Sequence, residues 1–212
     1  QPRIPGGRAR DRQRHVGEVV IDRLGHEGDG IADTPSGPLY VPFTLPGEVA
    51  EVQVAGDRGT VAALLGPSPD RVAPPCRHFG ICGGCALQHM AAPAYLAWKT
   101  EQVAAAFAQR GIEAPIAAIA PIAPHTRRRV IFAVEKGEGG ARLGFHRRAS
   151  HDIVAIEECV IAVPEIVGRR GALAKLADAL LQRGERGALA VVAAANGLDV
   201  DVRGTGALDT AM

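Results

Sequence analysis

Four cysteines, Cys76, Cys82, Cys85 and Cys159, are the residues whose type and spacing could do chemistry. The first three read C-x5-C-x2-C, and 73 residues separate Cys85 from Cys159. Thiolates are soft ligands, and four of them converging on one place make a metal site. Three can come from a single loop, because Gly83 and Gly84 let the backbone wrap tightly and offer amide N–H groups to sulfur. The fourth must be delivered by tertiary structure. Disulfides are the first competitor, but the chain shows no apolar secretory segment, and the reducing cytoplasm expected for it disfavours them. Cys82-x2-Cys85 as a redox dithiol lacks a βαβ setting. Zinc typically takes two C-x2-C pairs, whereas this is three plus one. A radical S-adenosylmethionine enzyme would use three cysteines at a different spacing and leave one iron open; here Cys159 closes the set. The residues read as a closed [4Fe–4S] cluster, with a four-cysteine zinc site as the alternative. His78 and His89 flank the loop and read as surface or supporting residues, not ligands.

Elements must hold that loop and bring Cys159 to it. At 47% hydrophobic and 22% charged with net charge +1, the chain has globular composition rather than that of a disordered one. Gly 26 and Pro 15 imply many turns, which suits β-rich domains better than a helical bundle. Residues 1–14 carry five Arg against one Asp without apolar periodicity and read as a flexible basic arm. From 15 to 66, short β-branched runs alternate with Gly, Pro and Asp. Val16–Arg23, Gly30–Asp33, Leu39–Phe43, Glu48–Ala55 and Thr60–Leu65 are five candidate strands, with a tight turn at Gly56-Asp57-Arg58-Gly59. Five short strands in this length predict an OB-type barrel, with an open meander as the alternative.

Residues 67–75, rich in proline, form a linker. Pro93–Arg110 is the clearest helix, with Leu96, Val103 and Phe107 as a buried stripe, Trp98 beside it and Gly111 as the stop. Arg127–Lys136 and Ala141–Arg147 read as a hairpin around Gly137–Gly140, and Asp152–Ile156 as a further strand. Pro164–Leu181 is a second helix with Ile166, Leu173, Leu176 and Leu180 on one face. Leu189–Ala194 and Leu198–Val202 form a last hairpin around Asn196-Gly197. The expected fold class is mainly β with some α: an OB-like barrel followed by an α+β domain holding the cysteines.

Charge is unevenly placed. Between Arg127 and Arg148 stand seven basic residues against two acidic ones. Arg127, Arg128, Arg129, Arg147 and Arg148 read either as a solvated basic face or as a surface for phosphate, which arginine forks match. In a strand, Arg127–Arg129 would point alternately to opposite faces, so one of them would serve structure. Phe145 reads as core and His146 as a candidate for stacking on a base. No apolar stretch is long enough to span a bilayer, so no membrane partner is expected.

The cysteine loop CRHFGICGGCALQH, with TRRRVIFAVEKGEGGARLGFHRRASHDIVAIEECVI after an intervening helix, resembles the iron–sulfur branch of the RNA uracil-5-methyltransferases. The segments HEGDGIAD and YVPFTLPGE are similar to the TRAM domain of that family, and the resemblance runs over about residues 16–203. It implies that Cys76, Cys82, Cys85 and Cys159 ligate the cluster, and that residues 15–66 are a TRAM barrel gripping RNA backbone. It further implies that 76–92 with 121–212 form the iron–sulfur central domain. The five arginines would then contact 23S ribosomal RNA rather than DNA. The segment 93–120 would pack on a methyltransferase domain, leaving its apolar face uncovered here. The family's chemistry uses a cysteine that adds to C6 of uracil, a general base and S-adenosylmethionine. No cysteine is left over for that role, and Gly204-Thr205-Gly206 opens no helix that would hold the cofactor. Catalytic and S-adenosylmethionine-binding residues are therefore expected outside this chain.

Overall fold

The computed structural model describes residues 15–117 and 119–204; the expected basic arm at 1–14 and the stretch 205–212, with most of the Gly204–Gly206 run, lie outside the described residues. Two compact units divide between Arg71 and Val72.

In the first unit, β1 (His15–Val20), β2 (Arg23–Leu24), β3 (Gly30–Thr34), β4 (Gly37–Val41), β5 (Val49–Ala55) and β6 (Arg58–Gly66) form one sheet in the order β1-β5-β6-β4-β3-β2. The run expected as one strand over Val16–Arg23 is divided. Between its pieces, the Ile21 N–H donates to Glu48 O and the Asp22 N–H to Ile31 O, so the chain passes from one neighbour to another. The two edge strands are consecutive pieces of one run, which curls the sheet back on itself in the OB-like manner. Ile21, Leu39, Val41, Ala50 and Val52 fill its interior. The expected four-residue turn is shorter. Ala55 pairs with Arg58, so only Gly56 and Asp57 turn, and the φ of 68° at Gly56 is the positive value a two-residue hairpin needs at its first position.

A buried carboxylate locks the barrel's end. Glu48 is wholly inaccessible; it accepts from the Leu45 N–H at 2.8 Å, the Ser68 N–H at 3.1 Å, and Arg71 Nε and Nη2 at 2.5 and 2.7 Å. Arg71 Nη2 also donates to Phe43 O. The first half of the expected linker is therefore part of the barrel, because Ser68 and Arg71 satisfy a charge that burial would otherwise penalise.

In the second unit, β7 (Arg129–Gly137), β8 (Gly140–His146), β9 (Ile153–Ala155), β10 (Arg186–Ala194) and β11 (Gly197–Gly204) form an antiparallel sheet in the order β11-β10-β7-β8-β9. Helices α2 (Pro164–Gly168) and α3 (Arg170–Leu180) cover one face. Val130, Phe132 and Val134 point there from alternate positions of β7, meeting Leu143, Leu189 and Val191. The single helix expected over Pro164–Leu181 breaks at Arg169, between Gly168 and Gly171, where φ is −96° and ψ 3°. The break re-aims the apolar face: Leu173, Ala177 and Leu181 are buried, whereas Leu176 and Leu180 are exposed. The last hairpin turns at Ala195-Asn196, one residue earlier than expected, since Ala194 pairs with Gly197. Helix α1 (Ala92–Ala108) matches its expected span, but the expected buried stripe is not there: α1 buries no residue, and Val103 and Phe107 are 42% and 38% exposed. Trp98 leans on Tyr95 and Lys99 of its own helix. Among the described residues no helix is long and apolar enough to cross a membrane.

At Gly144, paired with Ala155 where β9 runs antiparallel beside β8, a Cβ would stand 1.9 Å from Val154 O. Gly144→Ala should destabilise the second unit by about 1–3 kcal/mol through this overlap, read as a lower urea midpoint with an unchanged slope.

Candidate metal centre

The residues after Pro75 fold as tight turns: Phe79 N–H donates to Cys76 O, and the Ile81 and Cys82 N–H groups both donate to His78 O. The loop is then fastened to the end of β8. Cys82 bridges Arg147, Gly83 N–H donates to His146 O at 2.9 Å, and Arg148 N–H donates to Ile81 O. A Cβ at Gly83 would sit 2.9 Å from His146 O, so that close approach requires glycine. Gly84 N–H points at Cys82 Sγ at 3.4 Å, an amide donor to sulfur of the kind anticipated from the glycine pair.

Cys159 reaches the same place through a latch that sequence reading missed. Arg77 N–H donates to Glu158 Oε1 at 3.0 Å, Arg77 Nη1 to Glu157 Oε2 at 2.9 Å, and the Glu157 N–H donates to His78 Nε2 at 3.0 Å. Both residues after Cys76 thus grip both residues before Cys159. An arginine beside one thiol and two glutamates beside the other was the available signal. Its partners lie about 80 positions apart, so only the fold could pair them. On the other side, the His125 N–H donates to Val160 O and the Arg127 N–H to Ile161 O, fixing the strand-like run that carries Cys159.

The result is a cavity of about 400 Å³ lined by all four cysteines, with Arg127, Arg129 and apolar side chains such as Val130, Phe145 and Ile156. None of the four is in a disulfide. Among the described residues, no three His, Cys, Asp or Glu side chains are grouped as a single-ion site. Burial pushes the Cys82 and Cys85 thiols up, and their thiol neighbours push the same way. The Gly84 N–H counters this at Cys82; Gln88 and the Arg127 charge counter it at Cys85. A metal's own charge would invert that balance, since only thiolates bind it. Four soft sulfurs, an apolar enclosure and an amide donor fit an iron–sulfur group. Of the flanking histidines, His78 is a structural acceptor and His89 is buried with its ring 5.3 Å from that of Phe79.

The five arginines divide into separate places. Arg127 does not belong to the hairpin; it bridges Ala162, and its side chain lines the cysteine cavity. Arg128 also precedes the strand and clamps β10, donating Nε and Nη2 to Ala193 O at 3.0 and 2.8 Å. Arg129 begins β7 and lines the cavity. Arg147 and Arg148 follow β8 and line a neighbouring groove, which shares Gly84, Ile131 and Phe145 with the cavity. Phe145 packs on Phe132 at 5.1 Å and against the core, while His146 is exposed.

Comparison with known proteins agrees with this architecture. Residues 11–62 match the model of the TRAM domain. A Caulobacter vibrioides protein named as an uncharacterized RNA methyltransferase is 47% identical over 191 residues, covering 88% of this chain and 46% of that protein. A Brucella suis protein of the same designation is 45% identical over 194 residues, covering 92% and 47%. A Halomonas elongata protein named 23S rRNA (uracil(1939)-C(5))-methyltransferase RlmD is 37% identical over 158 residues, covering 70% and 33%. The chain spans about half the length of these first two curated relatives. With a TRAM domain match at its start and these relatives along most of its length, the chain is similar to RNA methyltransferases, among them one named for uracil-C5 methylation of 23S rRNA.

Proposed function

We propose that this chain is the RNA-binding, [4Fe–4S]-carrying N-terminal part of an S-adenosylmethionine-dependent 23S rRNA (uracil-C5)-methyltransferase. The observation that carries the proposal is the gathering of all four cysteines round one cavity whose lining includes Arg127 and Arg129. Cys76, Cys82, Cys85 and Cys159 would hold the cluster. Bound there, the cluster supplies a rigid cross-link between the loop and the Cys159 run, with its irons closed by protein thiolates. Arg77 and His78 hold the two arms of the site together, and the arginines beside it meet phosphate. Since every cysteine lines this cavity, none is left to attack uracil, and on this reading the nucleophilic cysteine, the general base and the S-adenosylmethionine site lie outside this chain. A stand-alone RNA-binding module with a zinc site is the second reading. Zinc typically takes two C-x2-C pairs, whereas these cysteines stand three plus one.

Anaerobically purified protein tests both halves. It should be brown with about four irons per chain, and its affinity for a ribosomal RNA fragment should fall steeply with salt. Arg129→Ala and Arg147→Ala should each lower the salt slope by about 1, while Arg128→Ala should lower stability instead. Colourless protein with a single zinc sinks the cluster; binding indifferent to salt sinks the RNA surface.

A further inference from the structure

The outer face of the second sheet, opposite its helices, carries a groove of about 620 Å³ lying entirely within that unit. Its floor is Ile131, Ala133 and Ala188 on β7 and β10. Ile131 is 54% exposed in the middle strand of the sheet, a position where an isoleucine is normally covered. One wall is Gly83 and Gly84 of the cysteine loop; the other is the turn from His146 to His151, with Arg147, Arg148 and Ser150. Among the described residues lining the groove, none is acidic.

We propose that this groove takes one unpaired nucleotide of a single-stranded RNA segment, the base lying on Ile131, Ala133 and Ala188 and its phosphate meeting Arg147. The inference deepens the RNA-binding reading above and rests on it. The floor favours a base over a protein side chain: two alanines beside one isoleucine make a shallow apolar bed, which suits a flat π face rather than a knob. The lining favours an anion, since Arg147 stands at its rim beside His146 and His151. A duplex would keep its bases stacked away from such a bed, whereas readers of unpaired RNA splay bases onto apolar or aromatic surfaces. The His146 and His151 rings pack edge to face at 5.9 Å, and the His146 Nδ1 lies 3.2 Å from His151 O, so the far wall is braced before any ligand arrives. Because the near wall is the cysteine loop, the metal centre would set the groove's width without touching RNA itself.

Fluorescence anisotropy of the whole chain with a labelled single-stranded RNA, beside a duplex of the same length, tests this. Ala188→Leu fills the floor and Ile131→Ala lowers it, and neither alters charge. Each should weaken single-strand binding about tenfold with the salt slope unchanged, and leave duplex binding as it was. Arg147→Ala should instead reduce the slope. Thermal unfolding and iron content of both floor variants, matching the unaltered chain, separate a lost base contact from a lost fold. Unchanged single-strand affinity in both overturns the proposal and leaves the groove to an acidic peptide strand or a second copy of the chain. Failure of the unaltered chain to bind any RNA overturns the reading beneath it as well.

Discussion

Cys159→Ser should empty the metal centre as thoroughly as Cys82→Ser, iron falling from about four per chain to below about one after anaerobic reconstitution. The reason is geometric. Cys76, Cys82 and Cys85 share one loop, and without Cys159 that loop faces an apolar enclosure on its remaining side. Nothing of the right softness stands in reserve, because His78 is engaged by the Glu157 N–H and His89 is buried on Phe79. Arg77→Ala grades the same argument. It keeps every thiol but removes the guanidinium bonds to Glu157 and Glu158, so iron content should hold while the cluster bleaches several times faster in air. Iron and visible absorbance, measured side by side, read both variants. Full iron in Cys159→Ser would show that the remote ligand is misassigned.

Arg71→Ala should cost the barrel about 3–5 kcal/mol, because it leaves the buried Glu48 carboxylate without its counter-charge. Burial pushes the Glu48 carboxyl up; Arg71 and the Leu45 and Ser68 amides outweigh that and hold it below the ordinary glutamate value of 4.5. A carboxyl depressed in the folded state contributes its stability fully above the unfolded value, and loses it as pH falls through the folded one. The gap between the parent and Arg71→Ala in urea should therefore be widest near neutral pH and shrink below about 4.5 as the carboxyl protonates. A gap that stays constant down to strongly acid pH would rule out the ion pair as its source.

Much of this was readable from residue order, and the exceptions share a cause. The cysteine spacing was legible because ligand type and a glycine pair sit in one short run. The barrel strands were legible because β-branched residues alternate between turn formers. What stayed hidden depends on partners far apart in sequence. Glu48 read as strand residue and Arg71 as linker, yet they meet at 2.5 Å. Arg128 read as an RNA contact, yet it clamps a carbonyl 65 positions away. The break at Arg169 hid behind two glycines that a helix can tolerate singly, and it shifted the buried face from Leu176 and Leu180 to Ala177 and Leu181. The stripe on α1 was legible as a pattern, but pattern alone does not say what, if anything, lies over it.

The three-plus-one division of the thiols has a consequence in time. A ribosome adding roughly 5–20 residues per second needs roughly 4–15 s to pass from Cys85 to Cys159. The barrel can close during that interval, since its strands and Arg71 have all been made. The three-cysteine loop cannot, and neither Glu157 nor Glu158 exists yet to hold Arg77. For those seconds three thiols wait on a nascent chain. On the reading proposed above, a metal delivered during those seconds would meet an unfinished site.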